Sequence, residues 1–139
     1  VPSPIRTDSI GFNLLTRFPS STAVTASPAA ASETIIGTLT IPSFADISVV
    51  NGIILSGWCA YTVGTSGTAV TLKLRQTNVA GSTIATSGAM TKTAASLYAD
   101  DINGVDVGAG VGVYVLTMTV TSGAAASTVS AVYLGAVIV

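Results

Sequence analysis

In the run Thr68–Thr77, Val70, Leu72 and Leu74 alternate with Thr71, Lys73 and Arg75. Successive side chains of an extended strand point to opposite faces, so this run predicts a strand with one face on a core and the other toward solvent. The same period returns in Val113–Thr121, where Tyr114, Leu116, Met118 and Val120 share a phase. Other β-rich runs are Thr34–Ile41, which stops at Pro42, Gly52–Val63, which follows the turn pair Asn51-Gly52, and Thr128–Val139. Shorter ones fall near Thr83–Thr86 and Ala89–Thr91. Ser96–Ile102 predicts another strand, ended by Asn103-Gly104, a pair that favours a hairpin turn. No helical period appears. About eight to ten short strands separated by turn signals predict an all-β chain, an antiparallel, jelly-roll-like β-sandwich.

Residues 1–21 differ from the rest. They carry Pro2, Pro4 and Pro19, two of the five basic residues, and Phe12 and Phe18. Proline removes amide donors and favours extended chain. The stretch reads as an extended N-terminal arm ahead of a single sandwich domain, 22–139. Ile10, Phe12 and Leu14 alternate, and with Phe18 they are the expected arm contacts, either on another surface or on the arm's own sandwich.

Charge limits what such a sandwich can do. The 139 residues hold five Lys and Arg, six Asp and Glu and no His, so 8% are charged and the net charge is −1. Ordinary domains carry about 25% charged residues. Each neutralised phosphate needs its own cation, so five dispersed basic residues predict no nucleic-acid partner, and an anionic membrane is equally unsuited. No run approaches the ~20 apolar residues of a spanning helix. No leader is visible, and whether one was removed is left open. A surface this poor in charge is expected to be covered by copies of the same chain or by a partner.

Catalysis needs titratable groups within reach of one another. Without His there is no Ser-His-Asp or Cys-His arrangement, and one Cys with no His does not fill a zinc shell. Asp100 and Asp101 are neighbours, so on a strand they face opposite ways. The stretch Asp100–Asp106 has the oxygen ligands of a calcium loop but neither its glycine position nor its late Glu, and reads as a hairpin turn with its acids in water. Gly108, Gly110 and Gly112 precede a β-rich run, where a phosphate loop would precede a helix. Lys73 and Arg75 read as a solvated face. No catalytic residue, metal or cofactor is expected, and the chain is not read as an enzyme. Cys59 is a small core hydrophobe or, on a sharper reading, the site of an intermolecular disulfide.

The last run is apolar in both phases: Val129, Ala131, Tyr133, Val137 and Val139 in one, Val132, Leu134, Ala136 and Ile138 in the other. A half-exposed antiparallel strand alternates apolar with polar, so this one is expected to be covered on both sides. In Ile53–Tyr61, Ile54, Trp58 and Ala60 likewise oppose Ile53, Leu55, Cys59 and Tyr61. The expected subunit interface is Val132, Leu134, Ala136, Ile138, Ile54 and Trp58.

From about Thr22 onward the chain resembles small β-sandwich proteins of tailed phages, trimeric decoration or head-fibre proteins of jelly-roll or tumour-necrosis-factor-like shape. The residues that carry the likeness are Thr22–Thr34, Val63–Arg75, Tyr114–Thr121 and Ser127–Val132. The resemblance implies a homotrimer seated on a lattice of major capsid protein, on the outer surface of a virion, with no catalytic residues to carry over. The alternative is an extracellular filament or pilus subunit that donates its arm as a strand to the next copy. A carbohydrate-binding module would need exposed aromatics, whereas Tyr61, Tyr98, Tyr114, Tyr133 and Trp58 mostly fall in apolar phases. Host, partner surface and the choice between closed trimer and open filament are not written in the sequence.

Overall fold

The computed structural model describes residues 32–41, 52–64, 68–93, 95–107, 112–121 and 127–138. The arm 1–21, with Ile10, Phe12, Leu14 and Phe18, lies outside them.

The described residues form eight strands and no helix: β1 (Glu33–Thr40), β2 (Gly52–Thr62), β3 (Thr68–Gln76), β4 (Thr83–Thr86), β5 (Met90–Lys92), β6 (Leu97–Val107), β7 (Val113–Val120) and β8 (Thr128–Ile138). They make two antiparallel sheets. The larger has the order β1-β7-β3-β4, with β5 also on β3, and the smaller has the order β6-β2-β8. Pairing is nested: β1 with β7, β2 with β6, and β3 with β4 and β5. That is a long hairpin wrapped over itself, as in a jelly roll, with β8 added to the free side of β2.

Between the sheets lies one core. The large sheet contributes Ile36, Leu39, Val70, Leu72, Leu74, Tyr114, Leu116, Met118 and Val120, and the small sheet Ile53, Leu55, Cys59, Tyr61, Ile102, Val129, Leu134 and Ala136. The strict alternation of β2 and β3 is what lets each strand give one full row to this core. Fully burying a side chain of this size stabilises the fold by roughly 1.5–3 kcal/mol.

Two expectations need correction. Asn103-Gly104 is not a turn: β6 runs unbroken through it, paired with β2 from Gly52↔Val107 to Thr62↔Leu97. An eleven-residue ladder outweighs a two-residue turn preference. The glycine is used for packing instead. A Cβ on Gly104 would stand 2.9 Å from the Ala85 Cβ and 3.0 Å from the Ile84 Cγ2, so its bare backbone is what lets β4 close over β6.

The phase of β8 also differs from expectation. Tyr61 pairs with Val129 and Ala60 with Ala131, so Ser130 is an extra residue in the strand. A bulge of one residue reverses the facing of everything before it. Val129 therefore joins Val132, Leu134 and Ala136 on the inner side, while Ala131, Tyr133, Gly135 and Val137 face outward.

Candidate interaction surface

The outer faces of the two sheets are chemically unlike. On the large sheet, Glu33, Lys73, Arg75, Thr83 and Thr117 form a linked polar cluster. Arg75 Nε and Nη2 donate to the two Glu33 carboxylate oxygens at 2.5 and 2.9 Å, and Nη1 donates to Thr83 Oγ1 at 2.6 Å. Thr117 Oγ1 donates to Glu33 Oε1 at 2.6 Å, and Lys73 Nζ lies 4.0 Å from Oε2. The hydrogen bond from Arg75 holds the Glu33 carboxyl below the usual range. This face meets water with one carboxylate shared between two cations, Arg75 closely and Lys73 at 4.0 Å.

Across the small sheet, the ladders align side chains in rows. One row is Val105–Ile54–Val137, the next Asn103–Ser56–Gly135, then Asp101–Trp58–Tyr133, then Ala99–Ala60–Ala131. Leu97 and Val107 sit at the two ends of β6. Seven of the eight large hydrophobic side chains exposed among the described residues lie here; the eighth, Val79, is in the turn between β3 and β4. Trp58 is 40% exposed and Val107 79%. Asp101 is the single charge on this face among the described residues.

Tyr133 helps to flatten the surface. A Cβ on Gly135 would collide with the end of its phenol, 2.3 Å from the hydroxyl oxygen and 2.8 Å from Cζ. The phenol therefore lies along the sheet over Gly135, apolar face outward, with its hydroxyl in the row of Ser56 and Asn103. Any side chain at Gly135 would lift the ring.

Of the expected interface residues, Ile54 and Trp58 lie on this outer face. Leu134 and Ala136 do not: they are buried in the chain's own core at 0% and 3% exposure, which leaves no surface for a neighbour. Val132 shares their phase and packs partly buried against that core. Ile138 pairs with Ile53 along the backbone. All four expected positions on β8 follow the bulge at Ser130, and those that pack on the core leave the outer face to the opposite apolar phase. Leu97, Val105, Val107, Tyr133 and Val137 complete the outer face and were missed. Val105 and Val107 were hidden by the turn reading of Asn103-Gly104. Tyr133 and Val137 fall in the phase opposite to the one expected at the interface.

The acids of β6 do not converge on one point. Asp100 turns inward, where it accepts from the Tyr61 hydroxyl at 2.5 Å and from Lys92 Nζ at 2.8 Å. Lys92 is buried and sits over the Tyr98 ring, 4.8 Å from its centroid. Burial raises the Asp100 pKa, but the hydrogen bonds from Lys92 and Tyr61 outweigh it and leave the carboxyl below its ordinary value. Asp106, also inward, accepts from Tyr114 Oη at 2.8 Å and from Gln76 Nε2 at 3.0 Å. Asp101 points out. No three metal-ligating side chains come together among the described residues. The two inward acids are polar staples between the sheets, not turn residues in water.

Cys59 is fully buried, and desolvation pushes its thiol up to about 12. A disulfide to a neighbouring copy would require the core to open, so the reading as a core hydrophobe stands in place of the intermolecular bridge.

The chain is similar to a structure of the Gx strain of infectious bursal disease virus, with a TM-score of 0.53 and 12% identity, over 78% of this chain and 28% of that one. It is similar to the VP2 protein of the same virus in T=1 particles, with a TM-score of 0.55 and 11% identity, over 78% and 27%. A chain of the T13 particle gives 0.55 and 10%, over 87% and 30%. The likeness is one of fold. It reaches sandwiches that occur in viral particles, and this chain spans less than a third of each. No family model and no curated protein matches the sequence.

Proposed function

We propose that this chain is a structural subunit of a virion, without catalytic activity, that decorates the outer surface of a capsid as a homotrimer. One observation carries the reading: a sandwich whose larger sheet faces out with an ion-paired polar cluster, while its smaller sheet faces out with Trp58, Ile54, Val105, Val107, Tyr133 and Val137. A contiguous apolar face of this kind marks an interaction surface. The fold it shares with the particle proteins of infectious bursal disease virus, and the resemblance of its sequence to trimeric phage decoration proteins, support placing that interaction in a virion. Its partners are then two further copies of itself and a major capsid protein lattice.

Electron microscopy of the native assembly tests this directly. Knobs at regular lattice positions on the outside of a capsid are expected. A particle with the chain lining its interior, or no particle at all, would overturn the reading.

A second reading, an extracellular filament subunit that polymerises by strand donation, has one observation in its favour. Among the described edge strands, β1 carries Glu33 and a bulge, β6 carries three acids, and β4 and β5 are short. β8 has eleven residues with neither charge nor proline, and beyond its own bulge at Ser130 its pairing is regular over 131–138. Such an edge invites an added strand. In the same micrographs this reading requires fibres.

A further inference from the structure

We infer that three copies of this chain close around a three-fold axis with the outer faces of their β6-β2-β8 sheets turned inward, so that Trp58 of each copy points at the axis. The inference rests on the trimeric reading above and names the surface that makes the trimer.

The width of the sheet is the first argument. Three strands spaced about 4.8 Å apart make a ribbon about 14 Å wide. Three such ribbons forming an equilateral prism place each sheet about 4 Å from the axis, near the ~5 Å that is half the usual spacing between packed sheets. A five-stranded sheet would leave a hollow too wide for side chains to fill. Length gives the second argument. Eleven residues at about 3.4 Å make the face roughly 500 Å² in projection, before side-chain relief is counted. In the trimer that whole face is covered, shared between two neighbours, against the ~800 Å² per partner of a standard two-body interface.

The distribution of residues across the face is the third argument. β2, the central strand, brings Ile54 and Trp58 toward the axis with Ser56 and Ala60 on either side of the indole. These small neighbours leave height for three indoles to tilt past one another. Apart from the small Ser56 on the central strand, the polar groups sit off-centre: Asp101 and Asn103 are on β6, and the Tyr133 hydroxyl is on β8, in the row of Asn103. In a three-fold ring β6 of one copy meets β8 of the next. The polar flank of each chain thereby faces the phenol of its neighbour, and the apolar residues face the axis. A two-fold face-to-face pair with strands aligned would set Asp101 of each copy over the apolar face of the other, without a cation to meet it.

A cysteine pair reads this geometry. Asp101 and Tyr133 both pair with Trp58, from opposite sides. Two strand spacings separate them, about 10 Å, which exceeds the ~7 Å reach of a disulfide within one chain. The full-length double variant Asp101→Cys with Tyr133→Cys, oxidised with copper–phenanthroline, is therefore expected to give a covalent trimer on a non-reducing gel. Buried Cys59 does not compete. Trp58→Glu is expected to reduce the light-scattering mass threefold while the circular dichroism spectrum stays that of a folded sandwich and the melting temperature falls by what assembly had added.

Bands that stop at a dimer would overturn the three-fold arrangement. A trimer that persists in Trp58→Glu and yields no cross-link would show that copies meet through another surface, which defeats this inference and leaves the structural role standing. A parent protein that is monomeric at micromolar concentration would remove both.

Discussion

Arg75 on β3 holds Glu33 on β1 across the intervening strand β7, with two parallel hydrogen bonds from one guanidinium to one carboxylate. Both side chains are largely shielded from water, at 14% and 19% exposure. Charge-assisted, two-pronged pairs of this kind are stronger than ordinary surface ion pairs. Arg75→Ala is expected to destabilise the chain at pH 7 by about 1–2 kcal/mol, read as a lower urea midpoint at unchanged slope.

The same carboxyl gives the stability a sign with pH. Its folded-state pKa lies below the unfolded value, 4.5, because Arg75 hydrogen-bonds the ionised form. Asp100 is displaced in the same direction from 3.8, burial being outweighed by Lys92 and Tyr61. In each case the unfolded chain takes up its proton first as pH falls. The stabilisation is complete above the unfolded values and is lost as pH drops through the folded ones. Urea midpoints are expected to be level near neutrality and to decline below about pH 4.5. Glu33→Gln should flatten that decline while lowering the neutral plateau. A decline of undiminished steepness in both Glu33→Gln and Asp100→Asn would refute the assignment.

Leu134 and Trp58 lie on opposite faces of the small sheet and should separate folding from assembly. Leu134→Asp puts a carboxylate into a core position with no partner, so the expected result is failure to fold, seen as lost near-ultraviolet circular dichroism. Leu72→Ala, in the same core, is expected to cost about 2–5 kcal/mol and leave a folded protein with a lower melting temperature. A folded, monomeric Leu134→Asp would mean that β8 packs in the opposite phase.

How far the sequence discloses this architecture depends on whether the deciding contact is local. The alternation in β2, β3 and β7 is written in consecutive residues, and the structure places those phases as read. In β8 the deciding feature is Ser130, whose extra residue is set by its pairing with β2 and leaves no mark in the residue pattern; its hydroxyl donates to the Ala60 carbonyl at 3.1 Å. β6 was misread for a related reason. Asn103-Gly104 is a strong turn pair in isolation, and only the arrival of Ala85 and Ile84 over Gly104 explains why a glycine is wanted inside a strand. Asp100 and Asp106 look like solvent acids until Lys92, Tyr61, Tyr114 and Gln76 are brought to them from other strands. The apolar character of the candidate interface was legible in composition; its side of the sheet was not.

Cys59 offers a probe that needs no mutation. Burial keeps its thiol protonated, with a pKa of about 12, and a thiolate is required for attack on a disulfide reagent. At pH 8 the native chain is expected to leave an aromatic disulfide reagent unreacted over hours and to react within minutes in denaturant. Rapid native labelling would show that the core between β2 and the large sheet opens readily.

Gly104 tests the seam between the sheets. A methyl group there would meet the Ala85 Cβ at 2.9 Å, and that atom is fixed to the β4 backbone and has no rotamer by which to withdraw. The Ile84 methyl at 3.0 Å blocks the other direction. To accept even alanine, β4 must move away from β6, loosening the contact of both residues with the core. Gly104→Ala is therefore expected to destabilise by about 1–3 kcal/mol despite alanine's better backbone propensity, and Gly104→Val by more. Ala85→Gly made together with Gly104→Ala should recover part of that loss, because it removes the atom that is struck. If the double variant is as unstable as the sum of the singles, the clash is not the cause, and β4 does not sit over Gly104 as described.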